Sequence, residues 1–238
     1  KIPKRDKRDT SRTAETGRAG RNVYHRRGRH RTRKGASGRG WAGMKILVAC
    51  EFSNTVSDAF RTHGHTVVSC DLIENEVMGR KWHHLGDVRE ILNNSWDMLL
   101  AFPPCTHLAI SGARWFKDKA KEQAQALEFV KTLLDAPIKY ICLENPVGII
   151  GTRIRKASQY IQPYEFGEPA FKKTGLWLKN LPKLKPTNIL AIPQPSTEEF
   201  KQWNSIHLMP DRKSRAQDRS RTFSGIAKAM ADQWSNIA

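Results

Sequence analysis

The chain has 238 residues and a formal net charge of +18 at pH 7. No apolar run approaches the roughly 18 residues that a membrane-spanning helix needs, and the first residues lack the apolar segment of a secretory signal. We therefore expect a cytoplasmic protein with no membrane partner.

Residues 1–43 form a strongly basic segment, with 15 Lys or Arg against 3 Asp or Glu. The segment is poor in aliphatic residues, so burial cannot offset the entropy lost on folding, and we predict a disordered N-terminal extension. Two interpretations stay open. The segment is either an arginine-rich arm that holds phosphate backbones, or an extension upstream of a domain whose periodic sequence begins at Met44.

From residue 44 onward, apolar runs alternate with helical patterns. Short apolar runs predict strands over residues 44–50, 65–72, 96–102 and 138–146, and helical spacing predicts helices over 55–64 and 117–136. This alternation predicts an α/β fold with a doubly wound, mostly parallel sheet. Ligands bind at the carboxyl ends of the strands in such sheets, where this chain places polar or reactive residues.

The pattern weakens after residue 150. A strand is predicted over residues 173–179, and residues 182–215 are rich in Pro, Asn, Gln and Ser, which is typical of a loop-rich segment. The last predicted element lies within residues 216–238 and is a helix that begins near Ser224 or Gly225.

Cys105 follows the third predicted strand in the stretch "AFPPC". Pro103 and Pro104 have no backbone N–H to continue a ladder, so they direct the chain out of the sheet and place the next side chain at the strand ends. A thiolate at that point is a competent carbon nucleophile. Free cysteines are also among the most buried residues, so a core thiol is the alternative.

Glu144 ends the next predicted strand in "CLENP", where we expect Pro146 to end the ladder. A carboxyl group is costly to desolvate at such a position unless it is paired or used. It can stabilise the charge that develops on a pyrimidine ring when a thiolate adds to C6. The alternative is a carboxylate that caps a helix.

Together, "DMLLAFPPCTHLAISG" and "CLENP" resemble the Pro-Cys and Glu-Asn motifs of the DNA cytosine-5 methyltransferases, and the style of the chain is closest to small phage-type members. The resemblance implies a Rossmann-like, S-adenosylmethionine-dependent methyltransferase domain over residues 44–181. It implies Cys105 as the nucleophile on cytosine C6 and Glu144 as the partner of the ring nitrogen. DNA would be the substrate, in a bacterial cell or a phage-infected host.

The same resemblance implies where the methyl donor would bind. Asp71 would take the ribose hydroxyls, Asp87 in "LGDV" would meet the adenine amino group, and Glu51, Phe52 and Pro103 would line the donor pocket. The donor loop of the family is rich in glycine, whereas "CEFSNTVSD" contains none.

Substrate-binding residues follow from "GEPAFKKT", which is similar to the Gly-x-Pro-Gln-x-Arg-x-Arg motif of the family. Lys172 would stand at the first arginine position, and Lys173 and Thr174 follow it. Arg114 beside Trp115 is a further expected DNA contact. Residues 182–215 would form a minimal target-recognition region, and residues 216–238 a helix that returns to the catalytic domain.

Two other functions remain open. The chain could be a related pyrimidine-modifying enzyme with an altered donor, or a catalytically inactive DNA-binding protein on the same scaffold. We expect a monomer. We expect no metal site, because the cysteines form no CxxC pair and His83 and His84 lack a third ligand at a fixed spacing.

Overall fold

A computed structural model describes residues 43–76, 81–110, 119–205 and 219–237 of the chain. The predicted basic extension lies outside these residues, apart from its last position, and so does Arg114. Among the helices of the described ranges, none has the length and apolar character that a membrane crossing requires.

The described residues form a seven-stranded sheet of order β3-β2-β1-β4-β5-β7-β6. Its strands are β1 Lys45–Ala49, β2 Thr66–Asp71, β3 His83–Leu85, β4 Met98–Ala101, β5 Tyr140–Pro146, β6 Gln159–Ile161 and β7 Thr174–Lys179. The pairs from β3 to β5 are parallel, whereas β7 runs antiparallel to β5 and to β6. The chain is therefore an α/β protein with a mostly parallel sheet, compatible with a Rossmann-like fold.

The helices are α1 Thr55–Thr62, α2 Ala120–Leu134, α3 Ile150–Arg153, α4 Glu198–Trp203 and α5 Ser224–Trp234. The start of α5 at Ser224 confirms the position that the sequence predicts. α4 lies inside the segment predicted to be rich in loops, and β3 lies in a stretch where the sequence pattern predicts no element. β3 is short and partly exposed, so it lacks the apolar run by which buried strands are recognised.

Helices cover both faces of the sheet. On one face, α1 and α5 pack against β1, with Phe60 and Trp234 fully buried beside Ile46. On the other face, α2 packs through Val130 and Leu133 on alternate residues of the same strands. Because successive side chains of a strand point to opposite faces, the near-continuous apolar runs of β1 and β4 are what a sheet covered on both faces requires.

Candidate active site

A pocket of about 1150 Å³ lies at the carboxyl ends of the parallel strands. It extends on both sides of the boundary between β1 and β4, where the chain order of the sheet reverses. Such a switch point is the usual ligand position in a doubly wound sheet. We call the side near β2 and β3 the donor end and the side near β5 and β7 the acceptor end.

The pocket brings together most of the residues that the sequence predicts for a site. Its lining includes Phe52, Asp71 and Asp87 at the donor end, and Cys105, Lys172 and Lys173 at the acceptor end. Four other predicted residues are not part of the lining: Glu51, Pro103, Glu144 and Thr174. Each of these four makes a hydrogen bond within the elements that carry the lining residues.

Cys105 sits in a turn that begins where β4 leaves the sheet. The last ladder bond of β4 is donated by Phe102 N–H to the Ala49 carbonyl, at 3.0 Å. The two prolines follow, and the amides of Leu108 and Ala109 then donate to the Cys105 carbonyl at 3.0 and 2.9 Å. The half-buried Cys105 side chain therefore enters the pocket from a turn closed by its own backbone.

Asn145 ties this turn to β5. Its side chain is fully buried, and its Nδ2 donates to the Pro103 carbonyl at 2.8 Å. The Oδ1 atom of Asn145 has no hydrogen-bond partner among the described residues. Pro103, itself buried, thus anchors the turn to the neighbouring strand and does not line the pocket.

Glu144 precedes Asn145 on β5 and is half-buried. The hydroxyl of the buried Thr174 donates to its carboxylate. The strand runs two residues beyond Glu144, and the expectation that Pro146 ends the ladder is confirmed, because Pro146 is the last residue of β5 and pairs with Thr174 of β7. Proline is tolerated in this pairing since it still offers its carbonyl to the neighbouring strand.

The charges around Cys105 act on its thiol in opposite directions. Burial raises the pKa of Cys105 and the Glu144 carboxylate raises it further, while Lys172 and Arg219 lower it. The net pKa lies above the ordinary thiol value, so Cys105 is a thiol at neutral pH. Its conversion to a nucleophilic thiolate depends on how closely the two cations are held.

Lys172 is fixed by backbone groups. Its ammonium group donates to the carbonyls of Arg219 and Arg221 at 2.8 and 3.3 Å, and its amide donates to Gln162 Oε1 at 3.1 Å. Lys173 instead places its ammonium 5.2 Å from the ring centroid of Tyr160, which is 46% exposed. The two lysines therefore differ. Lys172 is held by backbone carbonyls and its charge acts on the Cys105 thiol, whereas Lys173 lies against an exposed aromatic ring.

The donor end combines carboxylates with apolar side chains. Burial raises the pKa of Asp71, against the lowering effect of the Ile73 and Leu72 amides. Leu72 and Ile73 line the pocket but remain 75% and 37% exposed. An exposed apolar pair beside a carboxylate is suited to a ligand with a flat apolar part and a hydroxylated part.

Asp87 is already paired within the protein. Its carboxylate accepts hydrogen bonds from the Arg89 amide at 2.9 Å and from the Arg89 guanidinium, which hold the pKa of Asp87 below its usual range. A carboxylate offers about four lone-pair positions, and Arg89 makes two hydrogen bonds to each Asp87 oxygen, so a ligand amino group would have to replace one of these bonds.

Glu51 shapes the loop between β1 and α1. Its carboxylate accepts hydrogen bonds from the amides of Val56 and Ser57 at 2.6 and 3.2 Å, at the start of α1. The side chain is only 4% exposed, and burial raises its pKa. Glu51 therefore caps the start of α1 and does not line the pocket.

The same loop makes its sharp bends without glycine. Cys50 and Asn54 have φ values of 59° and 60°, in the left-handed region that non-glycine residues seldom adopt. Asn54 is held there by side-chain hydrogen bonds, since it donates to Asn75 and accepts from the Ser69 hydroxyl. The left-handed conformation of Asn54 in this loop is thus stabilised by side-chain hydrogen bonds and not by the freedom of a glycine.

Substitution of Asn54 tests this description. Asn54→Ala should lower the free energy of unfolding by about 2–3 kcal/mol, because a left-handed alanine costs roughly 1–2 kcal/mol and the hydrogen bonds with Asn75 and Ser69 are lost. Asn54→Gly loses the same hydrogen bonds but adopts this φ freely, so its loss should be about 1 kcal/mol smaller. Equilibrium unfolding in urea measures both. An equal loss in the two variants would show that the backbone conformation carries no cost.

Some lining residues have no clear signal in the sequence. Arg219 lies in a run of mixed charges that is typical of a solvated loop, and Leu72 and Ile73 lie at the end of a predicted strand without any motif. Within the described ranges, no group of three His, Cys, Asp or Glu side chains is placed to hold a metal ion.

The chain was compared with known proteins. No protein-family model matches it, and no curated protein matches it. The functional interpretation therefore depends on the residues of the pocket and on the motifs that surround Cys105 and Glu144.

Proposed function

We propose that this protein transfers a methyl group from S-adenosylmethionine to C5 of cytosine in DNA, through a covalent adduct with Cys105. One observation carries the proposal. A pocket at the switch point of the sheet contains Cys105, and the neighbouring strand supplies Glu144, whose charge acts on the Cys105 thiol, and Asn145, whose amide holds the Cys105 turn.

The donor end supports the proposed cofactor. Asp71 offers carboxylate oxygens for ribose hydroxyls, and the exposed side chains of Leu72 and Ile73 offer an apolar surface for a purine. Asp87 would receive an amino group by exchanging one of its hydrogen bonds with Arg89. The volume of about 1150 Å³ accommodates a nucleoside-sized donor together with one base.

The acceptor end supports addition to a pyrimidine. The Cys105 thiol first gives up its proton, and the thiolate adds to C6 of the ring, forming a carbon–sulfur bond, while Glu144 in its protonated form donates a hydrogen bond or its proton to the ring nitrogen. The methyl group that C5 receives would come from S-adenosylmethionine, which leaves as S-adenosylhomocysteine. Loss of the C5 proton to a base then restores the double bond and expels the Cys105 thiolate.

DNA as substrate is supported by the cations at the acceptor end. Lys172, Lys173 and Arg219 line the pocket, and the exposed ring of Tyr160 lies beside Lys173. Cations of this kind hold phosphates, and an exposed aromatic ring stacks on bases. Because C6 is not accessible within a stacked duplex, the target base has to be flipped into the pocket.

Transfer of an isotope-labelled methyl group tests the proposal directly. The full chain, duplex DNA and labelled S-adenosylmethionine should yield labelled 5-methylcytosine after digestion to nucleosides. Binding of S-adenosylmethionine without transfer to any base would favour an inactive DNA-binding protein. Absence of binding would favour a pyrimidine-modifying enzyme with another donor.

Asp71→Asn should weaken S-adenosylmethionine binding by about 10- to 100-fold, the effect of losing charged hydrogen bonds. Isothermal titration calorimetry measures the dissociation constant. Asp135→Asn is the matched control, since Asp135 is an exposed carboxylate after α2 and should leave binding unchanged. Equal affinities of parent and Asp71→Asn would contradict the assignment of the donor end.

A further inference from the structure

The segment 219–223, which leads into α5 and which we call the strap, connects the two ends of the pocket. Arg219 and Ser220 line the pocket, and the carbonyls of Arg219 and Arg221 accept the hydrogen bonds of Lys172. The strap therefore determines where the Lys172 ammonium lies, and it carries Arg219 itself. These are the two cations that act on Cys105.

The strap is attached to the donor end by the side chain of Arg221. The two terminal nitrogens of Arg221 donate to the two carboxylate oxygens of Glu76, in a bidentate ion pair. The guanidinium carbon also lies 5.4 Å from the ring centroid of Phe52, which lines the pocket. The Glu76 amide donates to the Phe52 carbonyl at 3.1 Å, so Glu76 is itself fixed to the loop after β1.

We propose that Glu76 and Arg221 are positioning residues, whose ion pair holds the strap so that Lys172 and Arg219 stay beside the Cys105 thiol. The proposal rests on the proposed function only in treating Cys105 as the reacting group. Neither residue contacts Cys105 through a hydrogen bond among those of the described chain. Their effect passes from the Glu76–Arg221 pair through the strap carbonyls to Lys172.

The sign of the effect separates positioning from simple electrostatics. Glu76→Gln removes a negative charge, and direct electrostatics would then make the Cys105 thiolate easier to form or leave it unchanged. If the pair positions the strap, the same substitution lets two cations move away from Cys105 and makes the thiolate harder to form. The two explanations therefore predict opposite changes in thiol reactivity.

Alkylation by iodoacetamide, a neutral reagent, measures the reactivity of Cys105 without donor or DNA. The rate is followed by mass spectrometry of the Cys105 peptide from the full chain, at about pH 8 and at higher pH values, where the thiolate fraction rises. Glu76→Gln should slow alkylation of Cys105 by about 3- to 10-fold at about pH 8, because one pKa unit changes the thiolate fraction about tenfold. The parent and variant rates should converge at high pH.

Arg221→Lys provides a second variant that keeps the charge. A lysine ammonium cannot form the bidentate fork, so this variant should slow alkylation as Glu76→Gln does. Glu198→Gln is the control, since it breaks the exposed ion pair with Lys201 on α4. The Glu76 and Arg221 side chains are 34% and 43% exposed, so losing their ion pair should leave the fold intact.

Slower alkylation in both variants, with the control equal to the parent, supports the proposal. An unchanged or faster rate in Glu76→Gln would overturn it. Because the assay contains neither S-adenosylmethionine nor DNA, slower alkylation can be observed even if no methyl transfer occurs. A failure of the proposed function is thus distinguishable from a failure of the positioning role.

Discussion

Cys105→Ala should abolish the covalent adduct that the parent protein forms with DNA containing 5-fluorocytosine in the presence of S-adenosylmethionine. The fluorine at C5 cannot leave as a proton does, so the parent protein remains attached through the carbon–sulfur bond. Without the thiol no such bond forms, and turnover on normal DNA should fall by roughly 10⁶-fold. Denaturing electrophoresis of labelled DNA measures the adduct.

The control for this prediction is Cys142→Ala. Cys142 lies on β5 two residues before Glu144 and is fully buried, and burial raises the pKa of its thiol. Its loss should leave adduct formation intact, since a core thiol cannot reach a base. An adduct that forms as rapidly in Cys105→Ala as in the parent would identify another nucleophile and remove the basis for the proposed reaction.

Glu144→Gln should lower methyl transfer by about 10²- to 10⁴-fold, the usual contribution of a positioned acid or base. Glutamine preserves the size of the side chain and can still accept the Thr174 hydrogen bond. It cannot donate a carboxyl proton to the ring nitrogen, so addition of the thiolate to C6 slows. Single-turnover transfer of a labelled methyl group measures this step.

Binding of S-adenosylmethionine should be unaffected in Glu144→Gln, because the donor end lies on the other side of the β1–β4 boundary. Glu128→Gln is the matched control, since Glu128 is an exposed carboxylate on α2 and its loss should leave transfer unchanged. A Glu144→Gln rate equal to that of the parent would show that Glu144 only supports the sheet.

The central strands and α5 were predictable because their signals are local. Apolar runs such as "KILVA" and "MLLA" indicate buried strands, and the two prolines after β4 indicate where the chain leaves the sheet. The presence of Asp71 and Cys105 around one pocket follows from the same logic, since the carboxyl ends of parallel strands meet at one edge. Asp87 is expected there only from the resemblance of "LGDV" to a family motif, because β3, which precedes it, has no apolar run.

Other features depend on contacts that no local pattern carries. Glu76 and Arg221 are 145 residues apart, and an exposed ion pair produces no recognisable pattern in the sequence around either residue. The pairing of Pro146 with Thr174 depends on the antiparallel direction of β7, which the weak pattern after residue 150 does not specify. The helix cap made by Glu51 depends on the left-handed turn that follows it, and asparagine provides that turn where glycine would have indicated it.

The packing of α5 against α1 has a consequence for the synthesis of the protein. Ile46, Val56 and Phe60 emerge from the ribosome early, whereas Met230 and Trp234, which cover them in the core, are made more than 150 residues later. Until α5 arrives, one face of the nascent sheet exposes apolar side chains, and such surfaces attract chaperones and promote aggregation. Because the strap leads directly into α5, and Arg219 and Ser220 of the strap line the pocket, the pocket is completed in the same late event.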